Sequence, residues 1–147
     1  MKEQKPEQKN EARAKADLTH QEDLAIGVMN MISLEEHLAM TSAKTNKEDY
    51  VHILGAVRKL RVKMLRKLVT NTEGELWCIS KHLLAATMRM MEVATKYIES
   101  DPAAAHDFEK SAFDLYSLFW LLQTPDKQKK EPKKAQAADV VAKEEPK

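Results

Sequence analysis

The chain has 147 residues, a formal net charge of +1 at pH 7, three glycines, eight methionines and one cysteine. A single cysteine excludes an intrachain disulfide framework. A near-balanced charge excludes the strongly basic profile of an obvious nucleic-acid binder. No run approaches the ~18 uninterrupted apolar residues of a membrane span, and no apolar signal core opens the chain. Composition therefore predicts a cytoplasmic, soluble single domain without membrane contact, rich in the residues that favour helix.

Residues 1–17 carry five basic and four acidic side chains and almost no large apolar ones. Such a segment buries too little apolar surface to offset the entropy of ordering, so it reads as a disordered charged arm. The first helix is predicted over 20–43. Thr19 and Glu22 have capping-box spacing, and Leu24, Val28, Met31, Ile32 and Leu38 form an apolar stripe at 100° per residue. Glu35 falls in the middle of that stripe.

A second capping box, Thr45 with Glu48, opens a helix over 46–70. Tyr50, Ile53, Leu54, Val57, Met64 and Leu68 make its stripe, and Arg61 sits at the centre. Two adjacent helices thus each place one charge, of opposite sign, in an apolar seam, where an unpaired charge is expensive. A structural ion pair is the simplest outcome. Counted outward from Thr45, however, Glu35 and Arg61 differ by six residues, about 9 Å of axial rise. Arg58, on the flank, is closer in level and is expected as the nearer partner. On the outer side, Lys59, Lys63, Arg66 and Lys67 form a basic stripe.

Thr72 with Glu75 opens a third helix over 73–99. Leu76, Ile79, Leu83, Ala86, Met90, Ala94 and Tyr97 are expected at its buried centre, with Trp77, Leu84 and Met88 on one flank. Glu75, Cys78 and His82 bring three metal-ligand types onto one helix. A zinc site would need further ligands from elsewhere, and Glu75 has the capping role. No Glu-x-x-His pair of the kind that holds di-metal centres in bundles occurs. Cys78 and His82 lack a third orienting group for nucleophilic catalysis. Neither catalytic residues nor a metal or cofactor are expected, and His37, His52 and His106 read as solvated.

Asp101 followed by Pro102 opens the fourth helix over 102–122, pairing an N-cap carboxylate with a proline whose missing N–H costs nothing there. Phe108, Ala112, Leu115, Phe119 and Leu122 form its stripe. Phe113, Trp120 and Leu121 lie well off that stripe, so FDLYSLFWLL is apolar nearly all the way round. The tail over 124–147, with seven basic and five acidic residues, reads as a second disordered segment. The middle of the chain retains a net charge of −2.

Connections of two or three residues between helices of similar length predict an antiparallel, up-down-up-down four-helix bundle over 18–123. The apolar surplus on the fourth helix predicts contact with another protein or a second copy. Phe113, Tyr116, Trp120 and Leu121, joined by Trp77 and Met88 of the third helix, would form that surface. Nucleic-acid contact through Lys59, Lys63, Arg66 and Lys67 is one alternative. A small enzyme or ligand binder with a polar pocket around Glu35, Arg58, Arg61 and His82 is another.

Overall fold

The computed structural model describes residues 6–124, with side chains from residue 19 onward. Four helices occupy nearly all of it: α1 (Pro6–Thr45), α2 (Asp49–Leu68), α3 (Leu76–Tyr97) and α4 (Pro102–Gln123). No strand occurs among the described residues. The architecture is an all-α four-helix bundle. The predicted disorder at 1–5 and 125–147 lies outside the described residues.

Helix α1 starts much earlier than the sequence pattern suggests, and residues 6–17 of the predicted arm belong to it. Glu, Lys, Gln, Arg and Ala dominate that stretch. These residues lose little on entering a helix, and a packed helix downstream has already met the nucleation cost. Thr19 is consequently inside α1 and is no N-cap. The other two expected capping boxes also fail. Thr45 Oγ1 donates to the Thr41 carbonyl at 2.8 Å instead of capping α2. Ahead of α3, Asn71 Oδ1 accepts from the Glu73 N–H at 3.0 Å, and Glu75 makes no side-chain cap. A threonine near a helix end has several backbone groups within reach, so the motif's spacing alone does not select one.

The fourth start signal holds. Asp101 Oδ1 accepts from the Ala104 N–H at 3.0 Å, with Pro102 in the first turn. Asp101→Ala is expected to lower unfolding free energy by about 1 kcal/mol in urea titration, and Asp101→Asn to restore most of it. Equal stability of all three proteins would remove the cap as a determinant of α4.

The most extensive packing joins α3 to α4 and α1 to α2, and α1 also packs on α3. Both hairpins run antiparallel. Tyr97 stacks on Phe108 beside the α3–α4 turn, with ring centroids 5.5 Å apart. At the opposite end, Gln123 Nε2 donates to Ser80 Oγ at 2.9 Å. The connection 46–48 is short, as expected, and Asn46 takes a left-handed φ of 53° in it. The link 69–75 is longer than the sequence suggests and includes Gly74 at φ 56°, where the absence of a Cβ relieves strain.

The core gathers Ala25, Val28 and Met29 of α1, Leu65 and Leu68 of α2 with the following Val69, Leu84 of α3 and Phe119 of α4. Because the end of α2 meets the middle of α1, α1 continues N-terminally past α2. The buried face of α3 is rotated from the predicted one: Ser80, Leu84, Thr87 and Ala94 are buried, whereas Ile79 and Tyr97 are exposed. Helix α3 has neighbours on two sides, and small side chains on the inward face allow close approach. The polar ones among them are satisfied. Thr87 Oγ1 donates to the Leu83 carbonyl at 2.8 Å, and Ser80 accepts from Gln123.

Candidate interaction surface

The two seam charges find each other directly. Arg61 Nε donates to Glu35 Oε1 at 2.6 Å and Nη2 donates to Oε2 at 3.1 Å, a two-pronged, charge-assisted contact. Arg61 is buried, with 2% of its surface exposed. Arg58 reaches Glu35 only at 3.8 Å, and its side chain is 64% exposed. The expectation that Arg58 is the nearer partner is therefore wrong. The counted offset shrinks at the turn, since α1 ends at Thr45 and α2 begins at Asp49, and level then no longer separates the two arginines. Glu35 lies ten residues before the end of α1, and Arg58 and Arg61 nine and twelve after the start of α2, so both are within about 3 Å of its level and the face decides: Arg61 is buried in the seam, whereas Arg58 lies on the solvent side.

This mutual saturation leaves little chemistry for the predicted polar pocket. His82 is exposed on α3. A cleft of about 350 Å³ between α1 and α3 is lined by Ser33, Glu36, His37, Met40, Arg89 and Glu92, and includes none of Glu35, Arg58, Arg61 or His82. Across its edge, Arg89 Nη2 donates to Glu36 Oε2 at 2.7 Å. Cys78 and Glu75 are exposed with His82, and no group of three or more potential metal ligands occurs among the described residues.

The basic residues of α2 behave as a solvated stripe. Lys59, Lys63, Arg66 and Lys67 are all exposed. Among the described residues none of the four enters an ion pair. His37, His52 and His106 are also exposed, and His106 Nδ1 lies 3.6 Å from Glu109.

The structure divides the six residues predicted to contact a partner. Trp77, Met88, Tyr116 and Trp120 are half-buried and pack against the core cluster, so most of their apolar surface is already covered. Trp120 meets Phe119 edge-on at 5.1 Å and Tyr116 at 5.9 Å. Phe113 and Leu121 stay 69% and 64% exposed. Leu118 and Leu122, absent from the sequence-based set, are also more than a third exposed. Leu122 was expected on the buried stripe of α4, but it lies at that stripe's edge, where the neighbouring helices leave it partly uncovered.

Two polar atoms on this helix lie buried without a hydrogen-bond partner: the Tyr116 hydroxyl and the Trp120 indole N–H. The Tyr116 phenol is pushed above its usual range. Burial is the main cause, the nearby Trp120 side chain opposes it, and the Glu22 and Asp23 carboxylates of α1 add to it.

Along the outer side of α4, Phe113, Ser117 and Leu121 follow one another at four-residue spacing, within about 80° of arc. Ser117 Oγ donates to the Phe113 carbonyl at 2.8 Å, so the hydroxyl between the two large side chains is already satisfied. Lys110 and Asp114 flank this row, both exposed. Among the described residues no helix is long and apolar enough to cross a membrane. No family model matches the chain, and comparisons with curated proteins and with solved structures likewise found no match.

Proposed function

We propose that the chain is a non-enzymatic helical interaction module, binding another protein or a second copy through the outer face of α4. The observation that carries this reading is the exposure of Phe113 and Leu121 on a helix whose opposite face is packed. Isolated exposed apolar residues are ordinary. Here four of them, Phe113, Leu118, Leu121 and Leu122, fall within ten residues of one helix, beside the half-buried Trp120. Aromatic anchors rimmed by charge are what binding patches use, with Lys110 and Asp114 as the rim here. The expected setting is cytoplasmic, with no cofactor.

Nucleic-acid contact through α2 is the second reading. It rests on four exposed cations, Lys59, Lys63, Arg66 and Lys67, without acidic partners among the described residues. One experiment separates the two readings. A photo-activatable cross-linking residue is placed in living cells at position 113 or at position 63. The interaction module predicts protein adducts at 113 that vanish when Leu121 is also changed to Glu. Nuclease-sensitive adducts at 63, with none at 113, would replace it with the nucleic-acid reading.

A further inference from the structure

We propose that the α1–α2 hairpin carries a docking surface of its own, on the side turned away from α3, for an acidic amphipathic helix of a partner protein. This surface is separate from the outer face of α4 and stands without it.

The Glu35–Arg61 contact fixes which side chains share that side. In two antiparallel helices, the residues that follow a facing pair emerge on one side of the seam, and those that precede it emerge on the other. Glu36, which follows Glu35, pairs with Arg89 of α3, so the side of the following residues is the one turned toward the rest of the bundle. Leu34 and Leu60, which precede Glu35 and Arg61, therefore lie together on the opposite side. Ile53 is two turns before Leu60 and only about 20° from it around the helix. All three are half exposed, and the extensive packing of α2 is on α1.

Charge selects the occupant. Lys67 continues the Ile53–Leu60 row by two more turns, and Lys59 and Lys63 lie beside it. These lysines are exposed and enter no ion pair among the described residues. The carboxylates on this side lie beyond its two ends. Asp49 is in the first turn of α2, where the helix N-terminus favours it. Asp23 of α1 is about 9 Å past the level of Lys67. An occupant must therefore present an apolar row to Leu34, Leu60 and Ile53, and anionic groups along the lysine edge. A helix with acidic residues on one border of its apolar stripe does both. Nucleic acid supplies anions without the apolar row. A bilayer calls for cations all around the apolar residues, whereas Asn30 and Thr41, which flank Leu34 on α1, are uncharged.

The test uses the full chain and a fluorescein-labelled helical peptide of about 18 residues, roughly five turns, with one leucine stripe and glutamates along one edge. Fluorescence anisotropy should show that it binds, and that replacing every glutamate by glutamine weakens binding about tenfold. In the protein, Lys63→Glu with Lys67→Glu should weaken the acidic peptide about tenfold and Leu60→Ser about fivefold, while Phe113→Glu leaves its affinity unchanged. Circular dichroism confirms that these variants, all at exposed positions, stay folded. Absence of binding, or an affinity indifferent to Leu60→Ser, overturns the proposal. Loss of binding in the Phe113→Glu protein would move the peptide to α4 and overturn it too. Displacement of the peptide by phosphatidylserine vesicles or by duplex RNA, at concentrations below the peptide's own Kd, would replace the partner helix with a bilayer or a nucleic acid.

Discussion

Glu35→Ala is expected to destabilise the protein by about 3–5 kcal/mol, the range for removing one partner of a buried ion pair. The loss is not that of two hydrogen bonds. Arg61 is buried on α2, and without Glu35 its guanidinium keeps its charge in an apolar seam. The converse substitution should cost less. In Arg61→Met the Glu35 carboxylate is left behind, but the exposed Arg58 side chain already lies 3.8 Å away and can swing onto it. Joining Glu35→Leu with Arg61→Met should return stability to near that of the unaltered protein, because a well-packed apolar pair often matches a buried ionic one. Urea unfolding of the two singles and the double forms a cycle that reads the coupling directly. Additive losses would show that the contact at 2.6 and 3.1 Å has no energetic coupling.

The second large effect separates two phenylalanines six residues apart on α4. Phe119→Ala should cost about 3–5 kcal/mol, because its ring is fully buried where all four helices meet and is held edge-on against Trp120. Against a typical total of ~5–15 kcal/mol, that loss can unfold a substantial fraction of the chain at 25 °C. Phe113→Ala should change monomer stability by less than about 0.5 kcal/mol, since most of its ring is in water in either protein. Chemical denaturation followed by tryptophan fluorescence compares the pair, at concentrations low enough to exclude association. Comparable destabilisation by both would mean that the outer face of α4 is part of the fold and not a surface held for a partner.

Several features were legible from residue order alone, and each depends on neighbours along the chain. Apolar periodicity yields the number of helices, because a helix brings residues three and four apart onto one side whatever it packs against. Asp101 before Pro102 marks the start of α4 for a similarly local reason. The opposed charges at Glu35 and Arg61 were visible as a pair because both interrupt apolar stripes. Excess apolar surface on α4 was equally plain, since FDLYSLFWLL contains more large side chains than one buried stripe can hold.

What required the tertiary structure depends on distances between helices. Whether Arg58 or Arg61 meets Glu35 turned on which of them faces α1, because both lie within about 3 Å of the Glu35 level once the loop is taken out of the count, but only Arg61 is buried. The buried side of α3 was misplaced because hydrophobicity assigns Ser80 and Thr87 to solvent. Packed helices put them inside, where each finds a hydrogen-bond partner and leaves room for close approach. The surplus on α4 was divided the same way: neighbouring helices cover much of Trp120 and Tyr116 and leave Phe113 and Leu121 in water. Sequence determined which faces were apolar. Only packing decided which of those faces were already covered, because coverage belongs to the neighbouring helices and not to the residue itself.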